Sequence, residues 1–153
     1  MTRSLYLVEG ELEQVNLKLQ EKYKRISERE KRWEEYGTED VEWLMIAYGT
    51  CARIAKGALQ CLSERGLRAG LLRPVTLWPF PSERLQTLAG HAKAILVVEM
   101  SSGQMVEDVR LAVGNGMPVH FLGRMGGGVP EVPDLVDKME EIAAAAPAGD
   151  WRE

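Results

Sequence analysis

The sequence predicts an α/β domain: a mostly parallel sheet with helices on both faces, entered through a helical arm. Three observations carry this reading. Short, near-continuous apolar runs recur at residues 43–48, 69–75, 94–100 and 118–122. Strands buried on both faces read this way, because helices cover both sides of a parallel sheet. Amphipathic stretches of helical period separate the runs. The composition also shifts near residue 40: residues 20–35 hold 11 charged side chains in 16, whereas apolar runs follow beyond Asp40. The expected division is an arm over 1–40, a domain over 41–147 and a tail over 148–153.

The arm reads as a helix. Leu12, Val15, Leu19, Tyr23, Ile26 and Trp33 recur at helical spacing as a narrow apolar stripe. Glu21 with Arg25, and Glu28 with Arg32, are favourable pairs four residues apart. Tyr36-Gly37 is the expected stop, since Gly takes the left-handed conformation that ends helices. So thin a stripe needs a larger surface to lie on. Three seats are open to it: its own domain, a partner chain, or a second copy in a coiled coil.

In the domain, the strand at 43–48 runs through Gly49-Thr50 into a helix whose Cys51, Ala55, Ala58 and Leu62 share a face. Gly66 stops it. The second strand, 69–75, leads to Trp78-Pro79-Phe80-Pro81, which continues neither helix nor strand because Pro lacks the N–H and fixes φ. Ser82 is the expected cap of a short helix reaching Ala89. The third strand, 94–100, precedes a helix over 104–113 with Met105, Val109, Ala112 and Val113 inward. The fourth strand, 118–122, is followed by the Gly126-Gly127-Gly128-Val129-Pro130 loop. Pro133 then falls at the first position of a last helix with Leu135, Met139 and Ile142 inward.

Composition excludes several function classes. The 153 residues carry 19 basic and 23 acidic side chains, a net charge of −4, so no basic face for nucleic acid is expected. Adsorption to anionic membranes is disfavoured for the same reason. No apolar run approaches the roughly 20 residues of a membrane span. The first ten residues lack a signal-peptide apolar core, so a soluble, cytoplasmic protein is expected. Two cysteines cannot supply the four thiolates of an iron–sulfur cluster or a structural zinc.

Motif chemistry is sparse. Gly114-Asn115-Gly116 precedes a strand, the wrong order for a dinucleotide fingerprint. The Gly126–Gly128 loop is followed by Pro130 and Pro133, which remove the donors a phosphate would need. Cys51 and Cys61, ten residues apart on one helix, are separated by roughly 15 Å and cannot pair. Cys51 at a helix start reads as a packed small residue, although that position can activate a thiol. His91 and His120 have no ligand-spaced partner. No Walker lysine, Gly-Asp-Gly signature or nucleophile elbow occurs.

What remains is positional. Open parallel sheets meet ligands and partners at the carboxyl ends of their strands. Those ends carry Gly49, Thr50, Arg73, Glu99, Ser101, Ser102, Gly103, Gln104 and Arg124. One reading is purely structural: Ser101 or Ser102 caps the next helix, and Glu99 pairs with Arg73 or Arg124. The other is an edge that faces another domain or subunit.

Four segments carry a resemblance: Ala47-Tyr48-Gly49-Thr50-Cys51-Ala52-Arg53, Leu72-Arg73-Pro74-Val75-Thr76-Leu77-Trp78-Pro79-Phe80-Pro81, Val98-Glu99-Met100-Ser101-Ser102-Gly103-Gln104, and Val119-His120-Phe121-Leu122-Gly123-Arg124. The chain resembles the C-terminal part of the alpha subunit of 2-oxoacid:ferredoxin oxidoreductases, the 2-oxoisovalerate type first and the 2-oxoglutarate type next. The Leu72–Pro81 segment is its most specific part. More distantly, the pattern is similar to the transketolase C-terminal domain. The resemblance implies a three-layer α/β/α domain around a mixed sheet of about five strands, one antiparallel and not evident in the apolar runs.

It also implies an assembly that decarboxylates a 2-oxoacid on thiamine diphosphate, passes electrons through iron–sulfur clusters to ferredoxin and forms an acyl-coenzyme A. Alpha subunits are longer, and their catalytic domain has no counterpart here. The expectation is therefore a C-terminal domain, excised or separately encoded. No catalytic residue is assigned, and neither cofactor nor metal is bound by the chain alone. Thiamine diphosphate, magnesium, clusters and coenzyme A belong to the whole complex, with thiamine-binding beta, gamma and ferredoxin-like delta subunits as partners. A homo-oligomer through the N-terminal helix is a further expectation. The alternative is an autonomous domain that binds a small acidic ligand, such as coenzyme A, at the strand ends through Arg73 or Arg124.

Overall fold

The computed structural model describes residues 5–146. The helices are α1 (Glu11–Arg29), α2 (Gly49–Glu64), α3 (Ser82–Ala89), α4 (Met105–Val113) and α5 (Val132–Ala145). The strands are β1 (Trp33–Tyr36), β2 (Trp43–Ala47), β3 (Ala69–Pro74), β4 (Ala94–Glu99) and β5 (Val119–Gly123). They form one sheet in the order β1-β3-β2-β4-β5. β2 to β5 are parallel, and β1 is antiparallel to β3. The expected tail lies outside the described residues.

The period of two along each strand divides the core. Trp43, Met45, Leu71, Leu96 and Val98 pack under α2 and α5. Leu44, Ile46, Leu72, Ile95 and Val97 pack under α3 and α4. Both faces are thus covered, and the result is three layers. α2 ends in a Schellman motif: the Leu67 N–H donates to the Leu62 carbonyl and the Gly66 N–H to that of Ser63, with Gly66 at φ 79°.

The arm differs from its expected form. The helix ends at Arg29, not at Tyr36-Gly37, and Trp33–Tyr36 is the antiparallel edge strand. Its charges mislead because an edge strand faces water and tolerates them. Trp33 therefore leaves the helical stripe, and Arg32 pairs with Glu30, not Glu28. Each β1 carboxylate also meets a cation on its own side of the sheet. Glu34 takes Arg73 at 2.9 Å on the α2 side. Glu35 takes the Arg84 fork at 2.6 and 2.8 Å on the α3 side.

α1 has no buried residue. Tyr23 meets the ring of Trp78 edge-on, with centroids 5.7 Å apart. Leu12, Leu17 and Leu19 stay exposed. Of the three expected seats, the helix's own domain therefore covers the stripe only in part: Val15 and Ile26 are half-buried, while Leu12 and Leu19 face out.

Two further local expectations change. Pro81, not Ser82, is the cap position of α3, and Pro133 is the second residue of α5 because the helix begins at Val132.

The Glu35–Arg84 fork makes a pH prediction. Hydrogen bonds from Arg84, then Thr38 and Trp33, outweigh desolvation and hold the Glu35 carboxyl at about 2, against an ordinary 4.5. A depressed carboxyl contributes stability that is full above its unfolded value and is lost as pH falls through its folded value. Glu35→Gln should therefore remove part of the loss in stability between about pH 4.5 and 2. After allowance for solvent screening, that part is about 1–2 kcal/mol. Urea titrations at stepped pH would show it, and identical acid limbs in the two proteins would refute it.

Candidate functional site at the carboxyl ends of the strands

The parallel strands end together, so the residues after Ala47, Pro74, Glu99 and Gly123 share one edge of the domain. The structure sorts the nine expected site residues into three separate arrangements.

The first centres on Glu99, which is 0% exposed. Its side chain follows Ile95 and Val97 onto the α3/α4 face. There the carboxylate accepts the N–H groups of Gln104 at 3.2 Å, Met105 at 3.1 Å and Val106 at 3.0 Å. The Ser101 hydroxyl donates to it at 3.1 Å and accepts the Gly103 N–H at 3.1 Å. Glu99 is thus the cap of α4, reached from the preceding strand. First-turn N–H groups lack intrahelical partners and carry the positive end of the helix dipole, so a carboxylate suits them.

This corrects both structural expectations for the edge. Neither Ser101 nor Ser102 is the N-cap; Gln104 holds that position and its side chain caps nothing. Glu99 pairs with neither Arg73 nor Arg124. Strand parity is the reason: Arg73 and Arg124 follow Leu71 and Leu122 on the α2/α5 face, opposite Glu99. Ser102 is exposed and makes no side-chain hydrogen bond among the described residues.

The second arrangement holds Arg124. Its guanidinium reaches both carboxylate oxygens of Asp134 at 3.1 Å. Asp134 also accepts the Glu131 N–H at 2.9 Å, as part of the capping box of α5. That backbone bond first, and Arg124 second, hold the Asp134 carboxyl below its ordinary range.

The third joins Gly49, Thr50 and Arg73. They line a cavity of about 440 Å³ together with Tyr36, Ala52, Arg53 and Lys56. Arg53 and Lys56 project from the first two turns of α2 and were absent from the expected site. Their spacing of three residues was readable, but the opposite wall is Tyr36, from the strand hidden in the arm.

A larger cavity, about 910 Å³, lies at the amino ends of the strands, where Glu35, Asp40, Arg68 and Arg84 give it mixed charge. Cys51 is buried, and burial first and Glu99 second push its thiol up. Among the described residues no three His, Cys, Asp or Glu side chains are placed to hold a metal ion. No helix among them is long and apolar enough to cross a membrane.

Comparison with known proteins agrees with this architecture. The family described as pyruvate:ferredoxin oxidoreductase core domain II matches residues 41–135. A ketoisovalerate oxidoreductase subunit, VorB, of Methanothermobacter thermautotrophicus is 46% identical over 143 residues, which cover 94% of this chain and 40% of that protein. The chain thus spans well under half the length of that curated relative.

Among solved structures, a 2-oxoglutarate:ferredoxin oxidoreductase from Magnetococcus marinus, with 2-oxoglutarate, coenzyme A and succinyl-CoA bound, superposes with a TM-score of 0.76 at 21% identity, over 89% of this chain and 24% of that one. A split-gene transketolase, an inactive beta4 tetramer, gives 0.62 at 18% identity over 71% of this chain and 40% of that one. At such identities the likeness concerns fold: a three-layer α/β/α domain of transketolase-like form. With the family match spanning most of the chain, this chain belongs to the pyruvate:ferredoxin oxidoreductase core domain II family.

Proposed function

We propose that the chain is the assembly domain of a 2-oxoacid:ferredoxin oxidoreductase that acts on a branched-chain 2-oxoacid such as 2-oxoisovalerate, and that it does not turn over alone. The observation that carries this is the 46% identity to a ketoisovalerate oxidoreductase subunit over 94% of this chain but 40% of that protein. The donor set supports the division of labour. With two cysteines in the sequence, the chain cannot by itself furnish the four thiolates that usually hold an iron–sulfur cluster. In this reading thiamine diphosphate with its magnesium and the clusters belong to thiamine-binding beta, gamma and ferredoxin-like delta partners, and coenzyme A to the whole complex.

The exposed stripe of α1, continued by Leu77 and Trp78, is the surface this reading gives to a partner subunit. Such contiguous apolar surface marks interaction sites.

The test is co-expression with candidate thiamine-binding and ferredoxin-like subunits. Purification on a tag is followed by assay with 2-oxoisovalerate, coenzyme A and a viologen acceptor. The expected result is co-purification, turnover by the complex and none by the isolated chain. Viologen reduction by the chain alone, or full activity of the other subunits without it, would overturn the proposal.

A further inference from the structure

The cavity of about 440 Å³ over the start of α2 is lined by three cationic side chains, Arg53, Lys56 and Arg73. One carboxylate faces them, that of Glu34, and it is already engaged: the Tyr36 hydroxyl donates to it at 2.6 Å and Arg73 at 2.9 Å. Those contacts, with the nearby Lys56 charge, hold Glu34 below its ordinary range. Among the described residues no carboxylate makes an ion pair with Arg53 or Lys56. The Lys56 ammonium sits 3.9 Å from the centre of the Tyr36 ring, which holds the charge without neutralising it. Arg73 Nε is buried and has no hydrogen-bond acceptor among the described residues.

The cavity's remaining wall is backbone. Gly49 and Thr50 open α2, whose first turn contains no acid and receives no side-chain cap. At Gly49 nothing lies within 4 Å of where a Cβ would be, so a ligand can approach the main chain. Three positive charges against one occupied carboxylate, beside approachable amides, favour a compact, multiply charged oxyanion. The volume falls within the range of small-ligand sites.

We propose that this cavity binds the phosphoryl group of a phosphate-bearing small ligand through Arg53, Lys56, Arg73 and the opening amides of α2. The site is built from this chain alone, so it stands or falls separately from the assembly reading.

Titration calorimetry of the purified full chain tests it, with inorganic pyrophosphate and ADP as probes. Binding of either at micromolar to low millimolar concentration is expected. Equal affinities assign recognition to the phosphoryl groups alone; tighter ADP adds a nucleoside contact beside them. Arg53→Ala and Lys56→Ala should each weaken the probe about tenfold, the effect of losing one charge-assisted contact. Both side chains are exposed, so the variants keep the fold, which circular dichroism checks. Arg110→Ala, on a different helix and paired with Glu107 at 2.7 Å, should leave affinity unchanged. No binding of either probe, undiminished binding in the double variant, or equal weakening by Arg110→Ala would overturn the proposal.

Discussion

Glu99→Ala should lower stability by about 3–5 kcal/mol, as much as truncating a large core side chain. The carboxylate is fully buried and satisfies three consecutive backbone N–H groups together with the Ser101 hydroxyl. Deleting it strands the Met105 and Val106 N–H groups in the interior and leaves the Gln104 N–H and the Ser101 hydroxyl to water at the rim. Each stranded donor costs its desolvation, on the order of 1–3 kcal/mol, and local relaxation keeps the sum below the full total. Glu99→Gln should fall between the two, near 2–3 kcal/mol, because the amide keeps one acceptor and turns an N–H₂ toward donors. Arg73→Ala and Arg124→Ala should each change stability by no more than about 1 kcal/mol, as half-exposed ion pairs do. Urea midpoints measure all four. A Glu99→Ala midpoint near that of the parent, with Arg73→Ala or Arg124→Ala costing more, would restore the cation-paired arrangement and refute the cap.

Gly70→Ala should cost about 2–3 kcal/mol. A Cβ there would stand 2.6 Å from the Gly37 carbonyl oxygen, 3.1 Å from its carbon and 3.0 Å from Val41 Cγ2. Two of these three atoms are backbone, so no rotamer change relieves the overlap. The Gly37 turn must back away from β3 and carry the end of β1 with it. Gly37 itself is at φ 64° and lies against the same crossing, so the turn has little freedom to adjust. The loss should appear in the urea midpoint and as faster amide exchange along β1, with exchange in β4 changing less. A midpoint within about 0.5 kcal/mol of the parent would show that the crossing is looser than described.

The four parallel strands were legible because two covered faces leave no polar positions to blur the signal. β1 was not legible, since an edge strand of four residues, two of them glutamates, looks like the charged face of a helix. That misreading had consequences at the edge of the sheet. Without β1, neither the Glu34–Arg73 pair nor the Tyr36 wall of the α2 cavity could be anticipated.

Glu99 was singled out correctly as an acid that ends an apolar run, and its partner was missed. Arg73 and Glu99 lie on opposite faces because Leu71 and Leu96 share one, a relation set by the register between strands and unmarked in two runs that are apolar throughout. The first turn of α4 was the remaining partner, but backbone donors leave no mark in a sequence. Ser101 drew attention as an N-cap on residue type alone, while the group that caps comes from two positions earlier.

The order β3-β2-β4 places the turning point of the sheet between β2 and β4, the crevice where open parallel sheets usually receive a guest. Here the niche at the head of α4 has a resident tethered by its own main chain. An incoming anion would have to displace a covalently anchored competitor whose local concentration never falls. The domain is therefore preorganised around a charge it brought itself.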